Sequence, residues 1–142
     1  MIKQLSIFAS NEPGQIVKVT DALSSEDIDI RAMSIADTQD FGILRLIVSD
    51  AEKGKEVLKS KNCVVSITEV AGIKIPDKPG ALAKVLKLLA DNDINIEYMY
   101  AFITISKEFA YVVIRVSDTA GAEKILTDNG IELVTQADIE CL

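Results

Sequence analysis

Two short segments of this chain carry residues that together could hold an anion. They are Asn11-Glu12-Pro13-Gly14-Gln15-Ile16 and Asp77-Lys78-Pro79-Gly80-Ala81-Leu82. Each is followed by apolar residues at helical spacing, so each places a helix start directly after a Pro-Gly turn. The first N–H groups of a helix have no acceptor inside it and carry partial positive charge, which suits a carboxylate. Gly14 and Gly80 lack side chains, so a ligand can approach the backbone, or the backbone can take a turn that other residues resist. Repetition at equivalent places, with Asn or Asp two residues before the proline, argues for a ligand cradle; a plain turn is the alternative.

Other chemistry is scarce. The chain has no His, which removes Ser-His-Asp and Cys-His nucleophile systems, imidazole acid–base catalysis and imidazole metal sites. Cys63 and Cys141 are far apart, so neither a zinc spacing nor a disulfide framework arises, and Cys63 reads as a small buried apolar residue. Asp77, Asp91 and Asp93 could be assembled into an acid–base set, but they read as caps and solvated charges with no nucleophile or cofactor motif beside them. Neither loop has the Arg that would hold a phosphate or the Cys-x-x-Cys of a metal carrier. No cofactor is expected.

Charge and patterning narrow the class further. Lys plus Arg number 15 and Asp plus Glu 22, and the net charge of −7 repels phosphate backbones and anionic membrane surfaces. Phe8 and Phe41, without basic residues around them, do not make an RNA-binding sheet. With 49% hydrophobic residues the chain can build a core. No apolar run approaches about 18 residues, and Met1-Ile2-Lys3-Gln4-Leu5 lacks the build of a secretory leader. A soluble, cytoplasmic protein is expected.

The elements that must position the two loops form a repeat. Pro79 stands 66 residues after Pro13, and the same offset aligns Lys18 with Lys84, Leu23 with Leu89, Asp27-Ile28 with Asp93-Ile94, and Met33 with Met99. Phe41 and Ser49-Asp50 match Phe109 and Ser117-Asp118 at an offset of 68, whereas Arg45 and Arg115 would need 70. The copies span residues 1–69 and 70–142. In each, a strand (5–9 and 70–75) leads through Pro-Gly into a helix marked by Ile16, Val19 and Leu23, or by Leu82, Val85, Leu86 and Leu89. Pro is expected just inside the helix start.

Strands follow at 27–35 and 41–48, and at 93–103 and 109–116. The next helix opens at Ser49-Asp50-Ala51-Glu52, which has capping-box spacing, and at Ser117-Asp118. Asn62 and Asn129-Gly130 suit left-handed helix ends. Last strands lie at 64–68 and 131–135. The order β-α-β-β-α-β, twice, predicts an α+β protein of two ferredoxin-like units, each an antiparallel four-stranded sheet with both helices on one face.

The second segment, continued by Leu89-Ala90-Asp91-Asn92-Asp93-Ile94-Asn95-Ile96-Glu97, resembles the ACT domain, the small-molecule regulatory module of amino-acid metabolism. The first segment with Asp27-Ile28-Asp29-Ile30 is similar but looser, so the resemblance covers nearly the whole chain as two units. It implies an amino acid or related effector bound where ACT units meet. One unit's glycine loop would supply backbone contacts, and a paired unit's second strand would line the pocket. By position this points to Asn11, Pro13, Gly14, Gln15, Ile16, Asp29 and Ile30 in copy one, and to Asp77, Pro79, Gly80, Ala81, Leu82, Asn95 and Ile96 in copy two. Asp29 in place of Asn95, and Gln15 in place of Ala81, imply that the two sites differ.

Tyr98, Tyr100 and Phe102 share one strand face and read as interface packing, with an aromatic effector lining as the alternative. Met33 and Met99 read as core fillers, and Arg31, Arg45 and Arg115 as exposed strand residues that could also pair a carboxylate. The resulting expectation is a non-catalytic regulatory protein that binds a free amino acid and forms a homodimer. The alternative is a regulatory subunit of an amino-acid biosynthetic enzyme, similar to an acetolactate-synthase small subunit, acting mainly by protein–protein contact.

Overall fold

The computed structural model describes residues 1–37, 41–104 and 106–142. The chain divides into two compact units. One holds Lys3–Thr68 with Ile139–Leu142; the other holds Glu69–Asp138 with Met1–Ile2.

The first unit is built from β1 (Ile2–Ser10), α1 (Gln15–Ser24), β2 (Ile30–Asp37), β3 (Phe41–Val48), α2 (Ala51–Ser60) and the start of β4 (Val64–Pro76). Its strands lie in the order β2-β3-β1-β4. Antiparallel registers set Leu44 of β3 opposite both Ile7 of β1 and Ile35 of β2. Strand side chains alternate between faces, so Leu5, Ile7, Leu44, Leu46 and Val48 share one face and meet Val19, Ala22 and Leu23 of α1 and Leu58 of α2 in one core. On the opposite face of β1 from Leu5 and Ile7, Gln4 is fully buried. Its amide donates to Ser6 Oγ at 3.0 Å, and that hydroxyl lies 2.9 Å from Thr68 Oγ1, so the buried polar group is satisfied.

The second unit repeats the plan with the rest of β4, then α3 (Ala81–Asp91), β5 (Ile96–Ala101), β6 (Phe109–Val116), α4 (Thr119–Asp128), β7 (Glu132–Val134) and α5 (Gln136–Cys141). Strand order is β7-β4-β6-β5. Ile73, Ile75, Val112, Ile114 and Val116 pack with Val85 and Leu89 of α3 and Leu126 of α4. The two ferredoxin-like βαββαβ units expected from the repeat are present.

The repeat also fixes the ends of the elements. Asp27 and Asp93 both sit at φ 57, and the N–H of the following Ile28 or Ile94 donates to the carbonyl of Leu23 or Leu89 at 3.0 Å. This closes each helix with a left-handed residue and turns the isoleucine into the core. The strands expected from residues 27 and 93 therefore begin at Ile30 and Ile96. Asn62 (φ 63) and Gly130 (φ 78) take the expected left-handed places. Register resolves the Arg45 ambiguity, because Met33 faces Leu46 and Met99 faces Ile114, an offset of 68.

Six local expectations are corrected. Pro13 and Pro79 precede the N-cap glycines and lie outside their helices. The capping box from Ser49 to Glu52 does not form: Asp50 Oδ1 accepts from Lys53 N–H at 3.0 Å, while Ser49 Oγ accepts from Asp29 N–H. The strands expected at 64–68 and 70–75 are one continuous strand, β4. Met33 is more than a third exposed and fills no core, and Arg31 is largely buried. Beyond β7, shorter than expected, the chain turns into α5. Here Thr135 N–H donates to Asp138 Oδ2 at 2.7 Å and Asp138 N–H to Thr135 Oγ1 at 3.2 Å.

That reciprocal pair makes a pH prediction. The Thr135 backbone N–H, with its hydroxyl, favours the ionised form and holds the Asp138 carboxyl below its ordinary 3.8. A folded-state value below the unfolded one contributes stability that is complete above the unfolded value and lost as pH falls through the folded one. The amide signals of α5 should therefore hold steady above pH ~5 and move toward unfolded positions on further acidification. Asp138→Asn should remove that step.

Candidate functional site

Both Pro-Gly loops adopt the same geometry. Gly14 (φ 88, ψ −7) and Gly80 (φ 87, ψ −13) are the N-caps of α1 and α3, each in the left-handed region and without a side-chain cap. A Cβ built on either glycine would meet nothing within 4 Å. Backbone conformation rather than space therefore demands glycine here.

The turns are pinned by Gln15 N–H donating to the Glu12 carbonyl at 3.3 Å and by Ala81 N–H donating to the Lys78 carbonyl at 3.2 Å. The helices proper start with Lys18 N–H to Gly14 O and Lys84 N–H to Gly80 O, both 3.0 Å. Between these bonds, the N–H groups of Ile16 and Val17, and of Leu82 and Ala83, have no acceptor among the described residues. Neither first turn contains an acidic residue. Nothing in the first turns neutralises the positive ends of the two helix dipoles.

Beside the first loop lies a hollow of about 170 Å³ lined by Ala9, Ser10, Asn11, Glu12, Gln15, Ile16, Ile35, Gly42 and Leu44. A smaller one of about 90 Å³ shares Ser10 and Gln15 and is bounded by Lys18, Asn62 and Cys63. Of the residues expected from sequence, Asn11, Gln15 and Ile16 line the larger hollow; Pro13 and Gly14 shape the turn outside its lining. Ala9, Ser10, Glu12, Ile35, Gly42 and Leu44, outside the expected set, complete the lining. Glu12 stands where the second loop has Lys78, so the charge beside the turn reverses between the copies. Pairing register is the missing signal, since Ile35 and Leu44 face each other and Gly42 faces Ala9.

Asp29 and Ile30 stand elsewhere. Ile30 pairs with Val48, at the end of β2 remote from its own glycine loop, whereas Ile35 is at the near end. Six residues of extended chain put Asp29 about 20 Å from Ile35. Asp29 Oδ2 accepts from Arg31 Nη1 at 2.6 Å, and Arg31 Nε donates to the Ile139 carbonyl at 3.1 Å. Arg31, expected on an exposed strand surface, instead ties residues 139–142 to the first unit. In the second unit Asn95 is exposed, its backbone exchanging bonds with Ser117, and Arg115 pairs with Glu97 at 3.2 Å. Tyr98 and Tyr100 stack, and Phe102 is buried edge-on to Tyr111. Asp91 pairs with Lys87 at 2.8 Å, and no cluster of metal-ligating side chains occurs among the described residues. No helix of the described residues is long and apolar enough to cross a membrane.

Comparison with known proteins adds a family to this geometry. The model of the ACT domain pair matches residues 1–142. The crystal structure of protein BT0572 from Bacteroides thetaiotaomicron is 42% identical, with TM-score 0.93, over 99% of this chain and 96% of that one. The ligand-free regulatory subunit of aspartate kinase from Thermus thermophilus shares the fold at 18% identity, with TM-score 0.65, over 89% of this chain and 90% of that one. No curated protein matches.

Because both glycines are held left-handed in open space, Gly14→Ala and Gly80→Ala should each destabilise the chain by about 1–2 kcal/mol. Urea unfolding checks this; an unchanged midpoint would show that the turns are not strained for other residues.

Proposed function

The chain belongs to the ACT domain pair family, and on that premise we propose that it is a non-catalytic regulatory protein binding a free amino acid or a close relative. One observation carries the reading: two helix starts present N–H groups without acceptors, reached through left-handed glycines and free of acidic residues in their first turns. The effector carboxylate rests on the amides of residues 16–17 or 82–83. Its ammonium meets carbonyls or a side-chain oxygen such as that of Asn95.

Asp29-Ile30 and Asn95-Ile96 lie too far along their own strands to reach the loop of the same unit. A second copy of the chain would supply them, which is why a homodimer is part of the proposal. Regulation then requires the effector to favour one assembly or conformation over another, since equal affinity for both shifts nothing. The absence of His from the sequence, and of a paired acid–base set among the described residues, supports a binding role rather than a catalytic one.

Calorimetry against the common amino acids tests the proposal, and the folded protein should bind at least one saturably. Gly80→Asp and Gly80→Ala locate the site. The left-handed turn costs either variant about 1–2 kcal/mol, less than the about 5–15 kcal/mol of a typical domain, so both should fold. A carboxylate at the effector's carboxylate position, free to take the first amides itself, should make Gly80→Asp bind at the second loop at least tenfold more weakly than Gly80→Ala. Equal affinities would remove this loop from the mechanism. Failure of every amino acid to bind would remove the effector class.

A further inference from the structure

We infer that Gly42 opens a pocket for an apolar effector side chain in the first unit. The inference rests on the amino-acid reading above and adds the side-chain class and the residue that sets it. Gly42 lies on β3 between Ala9 of β1 and Asp37 of β2, on the face of the sheet that carries Leu44. Its missing side chain borders the hollow of about 170 Å³.

Two large aliphatic side chains in that lining are left in water, Ile16 at 39% and Ile35 at 51% exposure. A ligand carbon chain placed there removes apolar surface from water at roughly 25 cal/mol per Å². Apolar cavities of about 150 Å³ take a six-carbon ring, so a side chain of about four to six carbons fits. An acidic side chain would lose hydration against Ile16, Ile35 and Leu44 and would face the carboxylate of Glu12, which lines the same hollow. The two exposed isoleucines favour a branched aliphatic or similarly sized apolar amino acid.

The second unit is built differently at the same places. The equivalent of Gly42 is Ala110 and that of Ile16 is Leu82, both packed against the second core. Ile35 is replaced by Ala101, opposite Val112. At these three places the second unit carries a methyl, an isobutyl and a methyl group where the first carries a hydrogen and two sec-butyl groups, so the surroundings of the two loops differ in shape.

Gly42 can be changed without breaking the strand. A Cβ there meets only the Ala36 carbonyl oxygen at 3.5 Å and Ile35 Cγ2 at 3.8 Å, ordinary contacts. Gly42→Val should therefore keep or raise the unfolding midpoint, as valine suits a strand better than glycine. Calorimetry with leucine, isoleucine, alanine, aspartate and lysine should give a preference for leucine or isoleucine over alanine, aspartate and lysine in the wild type. Gly42→Val should cut the leucine-over-alanine ratio at least tenfold, and Gly42→Ala should cut it less; Ala110→Val should leave it unchanged. Amino-acid binding with an unchanged ratio in both Gly42 variants, or a wild-type preference for a charged side chain, overturns this inference and leaves the amino-acid reading standing. No binding by the wild type fails both.

Discussion

Everything at the candidate site depends on one backbone constraint. A strand must turn into a helix within about four residues, and the residue at the bend must be left-handed. At φ 88 and 87, Gly14 and Gly80 meet that demand, and each then opens a helix without a side-chain cap. The consequence is chemical as much as geometric. Ser, Thr, Asp or Asn at the N-cap would spend its oxygen on the first N–H groups. Glycine leaves them open, so the donor groups that could hold a carboxylate follow from the turn that lets α1 and α3 dock on their sheets.

The parts of the fold visible in the sequence are those governed by local rules. Pro-Gly loops, helical spacing of Val19 with Leu23 or Val85 with Leu89, and the offset that aligns them gave the architecture because core faces repeat with fixed periods. Local rules mislead where a residue serves two of them or a distant partner decides. Asp27-Ile28 looks like the start of a strand, since isoleucine favours strands, but the aspartate accepts a left-handed turn and the isoleucine closes the helix. Arg31 looks like a surface charge until the Ile139 carbonyl, 108 residues away, is brought to it. The start of α5 is legible in the sequence, because Thr135 and Asp138 have capping-box spacing. At the site, Ile35 and Gly42 were illegible, since only strand register sets them beside Ile16.

Duplication and divergence show in the same residues. Ends and cores are kept: Asp50 and Asp118 each cap a helix, and Ser49 and Ser117 accept from the N–H groups of Asp29 and Asn95, just before β2 and β5. The loop surroundings are not kept, with Glu12 against Lys78, Gln15 against Ala81 and Gly42 against Ala110. What maintains two foldable units is thus separate from the residues that surround each glycine loop, and those differ between the copies.

The central claim is that backbone amides at the starts of α1 and α3 hold the effector carboxylate. Its most direct test is an amide chemical-shift titration of the isotope-labelled full chain with leucine. Saturable shifts should be largest at Gly14, Ile16 and Val17, and methyl esterification of the leucine carboxylate should abolish them. Saturable shifts that leave these amides and those of Gly80, Leu82 and Ala83 unmoved, or that persist with the ester, would contradict the account.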